Sequence, residues 1–364
     1  MQADNEQISA SQLTFLLVNA ITGIGVLVIP ARAAKAAGSA GWLAVLVTGL
    51  ICTLLVWLIV RLCRKYPDQT IVEISIGLLG KPLGLFSVSI LFLLWLATTG
   101  FILRTFGEIN RDFLLPRTPI EIVMVGTLLA SVYLARKGIE PLARLSMVAY
   151  PISVTLGLGV VLLSLIGSDL TNLLPLWGKG LAGIGLGVVN SLFAFMGFEV
   201  LLVLMPFLNK PNVALRAGIT ATLGITALNL LLTVICLAAF GAATVGKMLW
   251  PTILVVRNVE LPGFFLERVD VFIFSVWLIE IFLLQSIMLY VLSLTLSRIF
   301  NVHEQKIFVW PLVPVIYFFS LFPLNISQLA TFNTFFSVAL MAYVFVQVLL
   351  LSLLATRKGG RAGA

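Results

Sequence analysis

Two acids of this chain stand inside apolar stretches, Glu199 in Phe193-Ala194-Phe195-Met196-Gly197-Phe198-Glu199-Val200 and Glu280 in Trp277-Leu278-Ile279-Glu280-Ile281-Phe282. A carboxylate at the centre of a lipid-spanning helix costs roughly 2.5–3.5 kcal/mol on insertion scales, so it is expected to face the protein interior. For each acid, contact with a ligand amine, a proton or a cation competes with a structural hydrogen bond between helices. Backbone offers a second chemistry. Ile21-Thr22-Gly23-Ile24-Gly25-Val26-Leu27-Val28-Ile29-Pro30 sets two glycines and a proline inside one apolar stretch. Glycine leaves the backbone loosely restrained and Pro30 has no N–H to donate, so the helix is expected to break there. Free N–H groups at a half-helix N-terminus suit a carboxylate, and unwound carbonyls suit an ammonium or a cation. Close packing of another helix on the small residues is the plainer alternative.

The Glu199 stretch repeats the pattern, with Gly197 ahead of an apolar run and then Pro206. Two interrupted spans in corresponding places of two halves point to a transporter-type site near the bilayer midplane. The expected ligand is a small zwitterion, such as an α-amino acid. It would be held between Thr22, Gly23, Ile24, Gly25 and Val26 on one side and Phe195, Gly197 and Glu199 on the other. Asn19 and Thr22 flank the first break and would line it. Trp95, Thr98 and Thr99 make a polar-aromatic patch midway along another apolar stretch, where packing between helices is the competing explanation.

Positioning such groups takes a membrane bundle. Of 364 residues, 60% are hydrophobic and 10% charged, too apolar for a soluble globular domain. At about 20 apolar residues per span, the length accommodates roughly ten spans. The apolar stretches are about 13–37, 41–62, 83–108, 120–134, 142–166, 181–208, 214–240, 271–299, 308–322 and 331–355. This predicts an all-α polytopic protein with one transmembrane domain over residues 1–364. Breaks in spans one and six divide it into five plus five helices, repeat one about 9–166 and repeat two about 181–355, inverted relative to each other. Ser9 or Ser11 is expected to cap the first helix, and the first span reads as a retained helix rather than a cleaved signal peptide. Thr70 and Glu73 suggest a short interfacial helix, residues 114–119 and 209–212 are turns, and 241–268 is a loop with short interfacial helices.

With both termini in the cytoplasm, fourteen Lys and Arg fall on the inner side, eight on the outer, and Arg104 near the outer end of the third span, as the positive-inside rule favours. That topology accounts for the formal net charge of +8. No basic stripe with interleaved aromatics exists for a nucleic acid. The sole histidine, His303, lies in a loop, and there is no P-loop or H-E-x-x-H, so neither an enzyme nor a cofactor or metal site is expected. Gly183-Ile184-Gly185-Leu186-Gly187 lacks the setting of a dinucleotide site and reads as helix packing. Cys52, Cys63 and Cys236 form no disulfide framework or metal spacing.

Several short motifs in order carry a family likeness. They are Ile8-Ser9…Gln12, Gly23-x-Gly25…Pro30, Gly41-Trp42, Leu115-Pro116-x-Thr118-Pro119, Gly138-Ile139-Glu140-x-x-Ala143-Arg144, Asn172-Leu173-Leu174-Pro175, Gly197-x-Glu199 with Pro206, and Val259-Glu260-x-Pro262-Gly263…Glu267-Arg268. In this order the chain resembles the permease-like B subunits of endospore germinant receptors. The resemblance implies the amino acid–polyamine–organocation transporter superfamily and its LeuT-like core of ten helices in an inverted repeat. It also implies a receptor role in the spore inner membrane: sensing a germinant, often an amino acid, together with an A-type membrane subunit and a C-type lipoprotein. A working amino acid or cation symporter uses the same kind of cavity and is the alternative.

Overall fold

The first helix starts where the sequence supplies its cap. Ser9 Oγ accepts the Gln12 N–H while the Gln12 side chain accepts the Ser9 N–H, satisfying groups that a helix start leaves open. From there α1 runs over Ala10–Thr22. The computed structural model describes residues 7–165, 168–257 and 269–359, and these are almost wholly helical. After a break at Gly23-Ile24 come α2 (Gly25–Ala37), a short turn, and α3 (Gly41–Cys63). The chain reverses at that turn: a Cβ on Gly41 would lie 3.1 Å from the Ala33 carbonyl carbon, whereas eight residues of continuous α-helix rise about 12 Å. The interfacial helix expected near Thr70 is α4 (Ile71–Leu79), capped by Thr70 and Glu73. Next are α5 (Lys81–Phe113), α6 (Ile120–Ala135) and α7 (Ile139–Leu163).

The second interrupted segment begins as α8 (Gly180–Ser191) and tightens to a 3-10 turn over Leu192–Phe195. It breaks at Met196-Gly197 and resumes at Phe198, with α9 (Leu201–Leu204) at its centre. The two pieces are bent by 54°. The chain continues through α10 (Ala214–Phe240), α11 (Ala242–Val245), α12 (Pro251–Arg257), α13 (Val269–Phe300), α14 (Lys306–Leu321) and α15 (Ile326–Gly359). A helix or broken pair thus overlies every stretch read as a span. Among the described residues, six helical stretches are long and apolar enough to cross a membrane, or seven with the bent pair as one. Ala10–Thr22, Ile120–Ala135 and Lys306–Leu321 are apolar but shorter. Much of the outer surface is apolar, with Leu54, Phe86, Tyr133 and Phe335 all exposed, as a lipid-facing surface requires. In the loop expected over 241–268, α11 and α12 are the short helices; its last part, residues 258–268 with the Val259…Arg268 motif, lies outside the described residues, as does Arg361.

Small residues decide how closely the helices approach. α10 lies along α3 with Thr226 seated on Gly49. α8 packs on α2 and α3 through Gly183, against the Ala36 carbonyl and Ala37, and Gly187, against Ala44, while Gly185 meets open space. α1 also packs on α10, so both broken helices belong with α3 and α10 to one group. α13 packs on α6 and α7, and α14 and α15 on α5. α1 touches α7 and α13, which puts the first break at the seam of the two groups.

The two breaks abut each other. A Cβ on Gly25 would lie 2.5 Å from the Ala194 Cα, so only hydrogen fits. Gly197 has φ +115°, and a Cβ there would run into the Ala20 carbonyl. The far end of the second segment is tied to the start of α1, since the Ile8 N–H donates to the Phe207 carbonyl at 2.8 Å and the Asn209 N–H to the Ile8 carbonyl at 3.1 Å. We therefore expect Gly197→Ala to destabilise the folded protein by about 1–3 kcal/mol, the cost of a side chain in a disallowed backbone region, plus the clash. Gly185→Ala is expected to leave stability within about 1 kcal/mol, since it fills open space on a helix. Thermal unfolding of the detergent-solubilised variants measures both.

Candidate functional site

At the first break, the backbone groups that lose helical partners can be followed one by one. The Leu27 N–H turns to the Ile24 carbonyl at 3.1 Å, which leaves the Gly23 carbonyl without its usual acceptor role. The Trp277 indole N–H on α13 donates to it at 3.2 Å. Four residues before Pro30 stands Val26, whose carbonyl has no N–H to receive because proline carries none. Thr252 on α12 donates its hydroxyl there at 2.8 Å. Two side chains from distant parts of the sequence thus complete the broken helix, as burial in an apolar medium demands.

The second break is completed from within. Glu199 is buried and accepts the Gly197 N–H through Oε2 at 2.8 Å. Its carboxylate also meets its own backbone N–H, and the Trp95 indole faces it without forming a hydrogen bond. Glu199 therefore replaces the missing carbonyl acceptors at the start of the resumed helix, a capping role a carboxylate fills well. Phe195 is wholly buried. None of Phe195, Gly197 and Glu199 lines the cavity that Thr22 and Val26 border at the first break.

The cavity lies on the other side of α1 and α2. It has a volume of about 110 Å³ and is walled by Thr22 and Val26 at the break, by α7, by α12 and by α13. Leu228 and Leu232 of α10 close it, and no residue of the second interrupted segment takes part. Glu280 projects into it from α13. Ser153 on α7 donates to Glu280 Oε1 at 2.6 Å, while Glu280 Oε2 is buried and has no partner. Tyr150 on α7 faces Thr22, whose own hydroxyl donates to the Val18 carbonyl at 2.7 Å. Around these few polar groups the wall is aliphatic, including Val154, Val161 and Val256. A small ligand with one cationic or donor group and an apolar body fits this chemistry, since binding sites orient ligands with few polar groups in apolar walls.

Of the residues singled out by sequence, the cavity collects Thr22, Val26 and Glu280. Gly23 and Gly25 shape the break, and Ile24 precedes α2. Asn19 is turned away, donating to the Phe15 and Ser146 carbonyls at 3.0 and 3.3 Å. Trp95 is fully buried against Glu199. Thr98 and Thr99 bond back to α5 carbonyls, and Gln285 joins α13 to the Thr99 carbonyl at 3.3 Å. The threonine hydroxyls thus stay within α5, and Gln285 makes the tie between helices. Sequence reasoning missed Tyr150, Ser153 and Thr252. Only Thr252 had a signal: Pro30 orphans a carbonyl, so some donor was required, although nothing in the sequence says which.

A protein-family model described as "Spore germination protein" matches residues 7–329. Similar proteins include Spore germination protein YndE of Bacillus subtilis (strain 168), 30% identical over 363 residues and covering 99% of each chain. Spore germination protein GerLB of Bacillus cereus is 30% identical over 334 residues, 91% of this chain and 89% of that one. Among solved structures, MhsT in complex with L-phenylalanine superposes with a TM-score of 0.72 at 15% identity, covering 95% of this chain and 89% of that one. Mhp1, a nucleobase-cation-symport-1 family transporter with bromovinylhydantoin bound, superposes at 0.70 and 16% identity, covering 94% and 78%. At such identities the likeness concerns the fold, which is that of the LeuT-type transporters.

The Thr252–Val26 bond gives a test. Thr252→Val keeps the shape but strips the donor, leaving a buried carbonyl unpaired at a cost of about 1–3 kcal/mol. Thr252→Ser keeps the hydroxyl and is expected to retain most of the stability. Comparing thermal unfolding of the two variants separates the hydrogen bond from the packing of the methyl group.

Proposed function

The chain belongs to the spore germination protein family of permease-like membrane proteins, and from that membership we propose that it is the germinant-sensing subunit of a receptor. In this reading a small germinant, an amino acid, occupies the cavity beside the first break, and its binding helps to trigger germination. The observation that carries the reading is Glu280, a buried carboxylate with one oxygen engaged by Ser153 and the other unpartnered. An ammonium group satisfies that oxygen. The ligand carboxylate takes the N-terminal end of α2, where the first N–H groups of a helix are open and the dipole is positive. The side chain lies against Val154, Val161, Leu228 and Leu232. Such a placement differs from a ligand between the two breaks, because Glu199 is already engaged by its own backbone.

The named relatives act in spore germination, and one solved neighbour holds L-phenylalanine; both support the reading. The receptor reading further includes an A-type membrane subunit and a C-type lipoprotein as partners, the spore inner membrane as location, and both termini in the cytoplasm. The likeness to transporters favours a second reading, an amino acid or cation symporter built on the same cavity.

Binding of individual L-amino acids to the purified chain in nanodiscs, followed by thermal shift, tests the proposal. At least one is expected to bind saturably. Glu280→Gln is expected to weaken it ~10-fold or more, about 1.4 kcal/mol, while Ser153→Ala has a smaller effect. No saturable binding by any amino acid, or binding untouched by Glu280→Gln, would overturn the site. Uptake of the bound amino acid into proteoliposomes holding this chain alone would favour the symporter, and binding without uptake the receptor.

A further inference from the structure

A second cavity lies at the end of the bundle where α2 finishes and α15 begins, away from Glu280. Its volume is about 210 Å³. Arg32 and Lys35 of α2 enter its wall, Lys247 enters from the segment between α11 and α12, and Thr105 and Asn333 enter from α5 and α15. The backbone segments that carry Lys35 and Lys247 meet: a Cβ on Gly246 would lie 3.2 Å from the Lys35 Cα. Lys179 joins them from the segment before α8, donating to the Lys35 carbonyl at 2.8 Å.

No carboxylate balances these charges among the described residues. Arg32 is half-buried, its Nη1 donating to Thr334 Oγ1 at 3.2 Å and its guanidinium lying 4.5 Å over the Phe193 ring. A guanidinium has five N–H donors, so most of its capacity is unspent. The acid one turn further along α5 from Thr105 is Glu108, and Arg104 and Arg111 both engage it. Asn333 spends its amide N–H on Thr105 at 3.2 Å. Like charges gathered in a partly dry cavity repel one another, and the repulsion grows as the dielectric falls. An anion relieves it. The planar guanidinium and flanking ammonium groups match an oxyanion, which Arg binds in bidentate fashion.

We propose that this cavity is an oxyanion site, held by Arg32 with Lys35 and Lys247, for a carboxylate or phosphate group. The site is independent of the amino acid reading for the Glu280 cavity and stands or falls by a different probe. A free anion and an anionic lipid headgroup share this chemistry, and the experiment separates them.

The purified full chain in nanodiscs of phosphatidylcholine is titrated with inorganic phosphate against chloride at constant ionic strength, with thermal stability as readout. A parallel set uses nanodiscs containing phosphatidylglycerol, without phosphate. Saturable stabilisation by phosphate but not chloride assigns the site to a free anion; stabilisation by phosphatidylglycerol alone assigns it to a headgroup. In either case Arg32→Gln is expected to weaken the effect ~10-fold or more. Lys247→Gln, at an exposed position that does not threaten folding, is expected to weaken it ~3-fold or more. Glu280→Gln should leave it unchanged. Failure of both phosphate and phosphatidylglycerol to stabilise the protein, or an effect unaltered in Lys247→Gln and Arg32→Gln, overturns the proposal.

Discussion

Every exposed backbone N–H or C=O in the interior of a membrane protein must find a partner inside the protein, because hydrocarbon offers none and each failure costs several kcal/mol. The breaks at Gly23-Ile24 and Met196-Gly197 open such groups, and much of the surrounding architecture answers to them. Trp277 reaches in from α13, Thr252 from α12, and Glu199 folds back on its own loop. The break glycines then let the two interrupted segments meet: Gly25 rests on Ala194 and Gly197 on Ala20. Removing those contacts would leave unwound backbone facing aliphatic side chains.

That demand sorts the polar residues of the interior into two sets. Glu199, Trp277, Thr252, Thr98 and Thr99 are consumed by backbone or helix ties. Glu280 is not: it lines a mostly apolar cavity, and one of its oxygens is unpaired. A group whose hydrogen bonds close within its own loop stabilises the fold; a buried group with capacity to spare is where a ligand gains most, because binding replaces a costly vacancy. The same reasoning distinguishes Glu108, saturated by two arginines, from Arg32, whose donors are mostly open.

Long apolar runs were legible as helices because a lipid-spanning segment has a fixed length and a strong compositional signature. The breaks were legible because Gly and Pro act locally: a missing Cβ and a missing N–H change the backbone whatever surrounds them. The Ser9–Gln12 and Thr70–Glu73 caps were legible for the same reason, since each joins residues three apart. The family likeness rested on motifs spread along the chain, and the matched region, residues 7–329, spans all of them.

What the amino-acid order determined by itself was therefore the membrane class, the helical stretches, the location of both breaks and the presence of two costly acids. Which acid faces a cavity was decided only by tertiary structure. Glu199 and Glu280 look alike in sequence, each an acid in an apolar run beside aromatics. They differ because Glu199 follows a left-handed glycine that turns its carboxylate onto the Gly197 N–H, whereas Glu280 sits in a continuous helix, bonded to Ser153, 127 positions away, and sharing a cavity with Thr22, 258 positions away by number. Contacts across such separations depend on how helices pack, and packing is set by all the side chains of a seam at once rather than by any local pattern.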